Sequence, residues 1–307
     1  MKRDLHGIFL LNKPLGGSSN HALQRVKRLF NAAKAGHTGS LDPLATGMLP
    51  ICFGEATKFS QHLLDANKVY EVTAQLGVRT DSGDKEGQVI HSQESQVTYA
   101  QLSQVLPQFR GLIRQVPPMH SAIKHEGKRL YEYARSGITI DRPAREVTIY
   151  QLDLINVDGQ AQGQPLQTIA LRVHCSKGTY IRSLIDDLGE ALGCGAHVST
   201  LHRTIVEPFQ SYPMTTFEEL EASADRDHYL LPMDAALAGW PRQTLSDEVA
   251  KQLLLGRLVI LAPSLGQVAT RFYSEADQFL GVGTVSQDGQ VTNKRLISTN
   301  FSNLFSS

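Results

Sequence analysis

Hydrophobic positions along this chain come in short runs separated by turn residues. Gly7 to Leu11 is apolar and is closed by Asn12, Lys13 and Pro14, then by Gly16 and Gly17, which predicts a strand and a turn. Ser18 or Ser19 can cap the next segment, where Leu23, Val26 and Phe30 share one helical face and Arg25 and Arg28 lie towards the other. Residues 34–57 show no clean period and hold Gly36, Gly39, Pro43, Gly47, Pro50 and Gly54, so a constrained loop broken by short regular pieces is expected. Val69 to Leu76 predicts a strand, Thr80 to Asp84 a turn, Tyr99 to Phe109 a helix, and Lys128 to Ser136 a further helical piece. Ile169, Leu171 and Val173 alternate with more polar neighbours, as in a half-buried strand. Ser176 to Thr179 then turn the chain into a helix from Tyr180 to Leu192. Beyond Trp240 and Pro241, a helix near Asp247 to Leu255 precedes apolar runs at 258–262, 268–272, 279–282 and 296–297, the pattern of a small β-barrel appendage.

The length of 307 residues fits two domains, or one large domain with an appendage. With 41% hydrophobic and 20% charged residues the composition is that of a globular protein, which excludes a largely disordered chain. Cys52, Cys175 and Cys194 form no CxxC pair, so a zinc ribbon and a redox motif are excluded and buried inert thiols are expected. No apolar stretch is long enough for a membrane-spanning helix, and the first residues lack a signal-peptide core; the expected location is the cytoplasm. The formal net charge is zero, but its distribution is uneven. Basic residues outnumber acids in 1–60 and in 110–146, whereas 207–250 is acidic, with only Arg226 and Arg242 as strong bases. Folding could gather the two basic stretches into one phosphate-binding surface, although charge alone favours ordinary solvated faces. The acidic stretch is expected to face solvent or another part of the protein.

The segment Gly36-His37-Thr38-Gly39-Ser40-Leu41-Asp42-Pro43-Leu44-Ala45-Thr46-Gly47 places one carboxylate in a loop rich in Gly and Pro. Pro43 restricts Asp42, and glycines let backbone approach a ligand closely, so Asp42 is a candidate for nucleophilic or acid–base work. Composition alone would make it a turn residue. Asp81, Asp84 and Glu86 do not have calcium-loop spacing and read as a turn. The eleven histidines include no HExxH, and Gly281-Val282-Gly283 does not continue as a dinucleotide motif.

The Asp42 segment closely resembles the catalytic motif of the TruB family of transfer-RNA pseudouridine synthases. Met48-Leu49-Pro50 and Gly54-Glu55-Ala56-Thr57-Lys58 extend the match, and Asn12-Lys13-Pro14 resembles the family's N-terminal motif. Tyr70, Leu76-Gly77, Thr80-Asp81-Ser82, Asp84 and Gly87 look like its second block; Ser176 to Leu184 look like its third, followed by Gly193 to Val198 and Leu201. These blocks run in family order across roughly residues 7 to 205. Where the family has a Pro-Pro-x-Tyr-Ser-Ala-x-Lys pattern, His120 replaces the tyrosine.

The resemblance implies an α+β fold: a mixed, largely antiparallel sheet with helices over residues 1–240, an RNA-clamping insertion at about 117–146, and a small PUA-like β-barrel domain over 241–307. It implies isomerisation of uridine 55 in the T-loop of transfer RNA, with no cofactor or metal, no required protein partner and a monomeric enzyme. Asp42 would be the catalytic carboxylate, Arg182 its partner, and Tyr70 a ring stacked on the flipped base that could share in proton removal. His37, Tyr180 and Leu201 would line the substrate pocket, and Lys13 would support it. A uridine inside folded RNA must be extruded, and aromatic and apolar walls suit the extruded base. Two rivals stand beside this reading: a non-catalytic RNA-binding or RNA-folding protein on the same fold, and a glycosidase that would need a second carboxyl about 5 to 10 Å from Asp42.

Overall fold

In the computed structural model, residues 1–157, 163–262 and 266–298 are described. The first part of the chain forms β1 (Gly7–Lys13), α1 (Ser19–Leu29), β2 (Ala35–His37), β3 (Ala45–Phe53), α2 (Ser60–Asp65), β4 (Lys68–Leu76), β5 (Val78–Thr80), β6 (Val89–Ser92), α3 (Tyr99–Val105) and β7 (Gly111–Gln115). A small insertion carries β8 (Lys124–His125), β9 (Lys128–Arg129) and α4 (Leu130–Arg135). There follow β10 (Arg145–Val157), β11 (Thr168–Cys175), α5 (Ile181–Ala191), β12 (Ala196–Val206), α6 (Phe217–Ala222), β13 (Arg242–Thr244), α7 (Asp247–Leu254), β14 (Val268–Tyr273), β15 (Phe279–Val285) and β16 (Val291–Leu296).

One sheet organises the molecule, with strand order β1-β3-β12-β4-β11-β10-β7 and β2 also paired to β3. All its pairings are antiparallel except β12 with β3, where Leu201, His202 and Arg203 run beside Ala45, Thr46 and Gly47. That parallel step brings β12 alongside the end of the Asp42 loop. Alternate residues of β1 and β3 enter two different cores. Phe9, Leu11, Leu49, Ile51 and Phe53 face α1 and α5 in one core. Ile8, Leu10, Met48 and Cys52 face Phe59, Leu63 and Phe209 in the other.

A strand buried on both faces has no reason to alternate. That is why 45–53, expected as part of a loop, is instead a nine-residue strand. Pro50 is tolerated inside it because it sits opposite Leu10, whose own C=O points away, to the Thr215 N–H. Gly47 is required there: it has φ +99°, and a Cβ would lie 2.3 Å from the Arg203 carbonyl oxygen.

The chain beyond Trp240 forms a four-stranded sheet, β13-β14-β15-β16, around its own core of Leu245, Leu253, Phe272 and Leu280. The run at 258–262, read as a strand, contributes only an isolated bridge between Ile260 and Gln290. Phe279 packs edge-on to Phe59 at 5.4 Å between ring centres, and Trp240 packs on His62 at 4.5 Å, so this unit rests on the back of β1 and β3. The acidic stretch is engaged internally: Arg25 meets Glu221 at 2.7 Å, Arg3 meets Asp227, and Arg271 meets Asp234 at 3.3 Å. The three cysteines are free and buried.

Candidate active site

The loop between β2 and β3 is held from every side. Ser19, in the first turn of α1, donates from Oγ to the Leu41 carbonyl (2.9 Å) and accepts from the Leu41 N–H (2.7 Å). The Gly16 N–H donates to the Pro43 carbonyl, and the Ala45 N–H closes a turn onto the Asp42 carbonyl. Lys13, only 1% exposed, donates from Nζ to the carbonyls of Pro14 (3.0 Å) and Ala45 (2.9 Å), with Pro43 at 3.5 Å. Arg203, also 1% exposed, donates from Nε to Met48 and from Nη2 to Gly39. Buried polar groups are tolerated only when satisfied, and here each satisfies its donors on the backbone it fixes.

This frame presents the Asp42 carboxylate to a cavity of about 310 Å³. Arg182, the second residue of α5, reaches Asp42 with Nη2 at 3.0 Å. Its guanidinium is buried, while the Asp42 side chain keeps 44% of its surface open. The same guanidinium has the buried Asp84 carboxylate at 3.4 Å and donates to the Ser82 and His120 carbonyls at 2.9 and 2.6 Å. Arg182 is thus fully engaged and cannot swing away from Asp42. Burial pushes the Asp42 carboxyl above the usual carboxylate range; Arg182 pulls it back only partly, and Asp84 adds to the rise.

Tyr70, Tyr180, Leu201, Ser121 and Thr179 are among the other residues lining the cavity. Tyr180 caps the N-terminus of α5, and its backbone is gripped by Gln115, whose amide accepts from the Tyr180 N–H at 3.1 Å. Tyr70 lies on β4 directly opposite Arg203 on β12. Burial raises the Tyr70 phenol above its ordinary range, while the Arg203 guanidinium beside it pulls the other way. A charged carboxylate, a fixed guanidinium and two phenol rings around one cleft suit attack on an electron-poor carbon next to a planar ring.

Comparison with known proteins shows the family. The family model described as "TruB family pseudouridylate synthase (N terminal domain)" matches residues 27–181. A Tolumonas auensis protein named tRNA pseudouridine synthase B is 53% identical over 309 residues, covering 96% of this chain and 93% of its own. The chain belongs to the TruB family. Two further TruB models, for C-terminal domains, match 182–238 and 241–297. A Yersinia enterocolitica protein of the same name is 51% identical over 308 residues, covering 96% of this chain and 92% of its own. Among solved structures, a Cbf5-Nop10-Gar1 complex contains a chain with TM-score 0.70 and 25% identity, over 95% of this chain and 84% of that one. The archaeal box H/ACA sRNP Nop10-Cbf5 complex gives 0.69 and 22%, over 96% and 86%, a likeness of fold.

Within this TruB frame, Asp42, Arg182, Tyr70, Tyr180 and Leu201 meet at one cavity. Lys13 and His37 are not part of its wall. Lys13 lies behind the loop, and burial lowers the pKa of its ammonium. His37 sits on β2; burial and then Arg203 lower its pKa, and its Nδ1 is buried without a hydrogen-bond partner among the described residues. Asp84, read as a turn residue, is in a turn and is also a buried counter-ion of Arg182. Sequence reasoning gave no role to Lys68, Arg203 or Ser121. The Ser121 hydroxyl, next to the Tyr180 phenol, makes no hydrogen bond of good geometry among the described residues. The signal for Arg203 was its place two residues after Leu201, which puts both on one face of a strand.

Proposed function

We propose that this TruB-family enzyme converts uridine 55 in the T-loop of transfer RNA to pseudouridine, with Asp42 as the catalytic carboxylate. The observation that supports this most directly is the Asp42–Arg182 pair in the wall of the cavity, the guanidinium buried and the carboxylate partly open. The flipped nucleotide would enter with its ribose towards Asp42 and its base against Tyr70, Tyr180 and Leu201. The bond from C1′ to N1 breaks, and its electron pair leaves with uracil while Asp42 meets the electron deficiency on the sugar. The base turns, C5 bonds to C1′, the C5 proton leaves and N1 gains a proton. Reactant and product have the same atoms and oxidation level, so the reaction calls for no co-substrate. By the family resemblance, Tyr70 would stack on the base and share in removal of the C5 proton.

The glycosidase alternative lacks support, because the second carboxylate near Asp42 is Asp84, which is 4% exposed and lies behind Arg182 rather than in the cavity. A purely RNA-folding role would not need a carboxylate paired with a buried guanidinium on a loop whose backbone is held by Ser19, Lys13 and Arg203. In this reading residues 1–240 form the synthase unit, 117–146 clamp the T-arm, 241–307 add a small RNA-contacting domain, and the enzyme works as a monomer in the cytoplasm. No helix among the described residues is long and apolar enough to cross a membrane.

The test is tritium release from 5-tritiated uridine in an unmodified transfer-RNA transcript, followed by mapping of the product. Wild type is expected to release tritium and to place pseudouridine at position 55. Asp42→Asn is expected to release none while binding RNA within a few-fold of wild type. Near-normal turnover by Asp42→Asn would remove Asp42 from its proposed role.

A further inference from the structure

Two buried cations in the cavity wall, Lys68 and Arg203, touch no carboxylate among the described residues. Lys68 donates all three ammonium protons to backbone carbonyls at the end of α2, those of Leu63 (3.2 Å), Leu64 (2.8 Å) and Ala66. Arg203 spends Nε and Nη2 on Met48 and Gly39. The opposite charges of the site are already committed: Asp42 and Asp84 share Arg182. With Arg182, Lys68 and Arg203 against Asp42 and Asp84, the free site keeps a net positive charge of one, and the two cations that touch no carboxylate lie on the floor that carries Tyr70, with Lys68 two residues before it on β4 and Arg203 opposite it on β12.

A buried charge without a counter-ion destabilises the resting fold, a cost that is kept where the charge serves the working cycle. Helix capping alone does not require it, since neutral donors or water can satisfy carbonyls. A phosphate is a poor candidate for the missing anion, because it binds through donated hydrogen bonds and these two cations have spent most of theirs on backbone. A short-lived, delocalised negative charge in the cavity needs no donor, only a fixed field in a low-dielectric wall.

We infer that Lys68 and Arg203 form a fixed positive floor that stabilises the anion of uracil while it is detached from the ribose. The inference rests on the proposed reaction, in which the electron pair of the C1′–N1 bond leaves on the base and spreads over N1, O2 and O4. The field of both cations lowers the energy of that state and of the transition state before it. The pair acts on the base without touching it. When C5 bonds to C1′, the charge returns to the new bond and the C5 proton departs, leaving the floor ready for the next turnover.

The surroundings of Lys68 agree. Burial is the largest cause that brings its ammonium down to about 8, with Arg203 next in the same direction; Cys175 and Asp65 oppose them, and Lys177, itself paired to Asp65 at 3.0 Å, adds to the lowering. Loss of the Lys68 proton therefore removes half of the floor's charge, and kcat/KM should fall as pH rises through that range.

The test compares wild type with Lys68→Met and Lys68→Arg on T-arm stem-loops carrying either uridine or 5-fluorouridine at the target. The fluorine makes the base a better anion and so reduces its need for the floor. Single-turnover loss of the N-glycosidic nucleoside is followed at saturating enzyme. Lys68→Met is expected to slow uridine about 10- to 100-fold, to slow 5-fluorouridine clearly less, and to keep RNA affinity within a few-fold. Equal slowing of both substrates, or a defect confined to RNA affinity, would overturn the inference. Lys68→Arg, which keeps the charge, is expected to retain activity and to move the alkaline fall of kcat/KM to higher pH; an unmoved limb would also overturn it, and this arm stands even if Lys68→Met folds poorly. Wild-type tritium release, measured first, tests the reaction itself, whereas the inference is read only from ratios of variant to wild type.

Discussion

Asp42 is held between two opposed demands. In the proposed role it must be ionised, yet the wall around it raises its pKa, and Arg182 only partly reverses that rise. The acid limb of kcat/KM should therefore lie above the range of a free aspartate, with activity lost as pH falls through the raised pKa. Because Arg182 lowers that pKa, Arg182→Gln should move the limb to still higher pH as well as reducing the plateau; pH profiles of both proteins measure this. His120 makes the opposite prediction. It touches Arg182 through its carbonyl, and its side chain is not part of the cavity wall. Replacement of the family's tyrosine is thus tolerated by the geometry, and His120→Ala should keep kcat within about threefold, a change of less than about 1 kcal/mol in the barrier.

At the scale of elements, the Asp42 loop depends on pieces remote in sequence: α1 through Ser19, β1 through Lys13 and β12 through Arg203. Ser19→Ala removes two buried hydrogen bonds to Leu41, so kcat should fall by about tenfold or more while thermal stability drops by only about 1–3 kcal/mol, as steady-state kinetics and thermal melts would record. Gly47→Ala is expected to cost more stability than Ser19→Ala, because its Cβ meets the backbone of β12 and cannot be relieved by a rotamer change. Much of this was legible beforehand. The half-buried strands β4 and β11 alternate, and α1 and α5 carry apolar faces. β3 was not legible, since both its faces are buried. Nor was the assembly of the site: Asp42, Tyr70 and Arg182 could be named by resemblance, but nothing local in Asp84 marks it as the counter-ion of a residue nearly a hundred positions away, and Lys68 looks like any strand lysine until its neighbours are known.

For the whole molecule, the basic stretch at 1–60 is a smaller RNA surface than its composition suggests. Lys13 is buried behind the site, and Arg3, Arg25 and Lys58 are paired with acids. The insertion differs: Lys124, Lys128, Arg129 and Arg135 are exposed, and Arg129 and Arg135 lie over the Tyr131 ring. Arg129→Ala with Arg135→Ala should raise KM for transfer RNA and flatten its salt dependence by roughly two units of log–log slope while leaving kcat near normal; titrations at several salt concentrations check this. The parallel pairing of β12 with β3 has a consequence for synthesis on the ribosome. The chain emerges from its N-terminus, so β3 and β4 are made about 150 and about 130 residues before the strand that fills the gap between them. Until residue 206 clears the exit tunnel, Gly39 has no guanidinium to hold it, and two strand edges stand open to other nascent chains. Catalytic competence therefore arrives late and all at once, and a polypeptide released before β12 carries every residue of the Asp42 motif yet has no site.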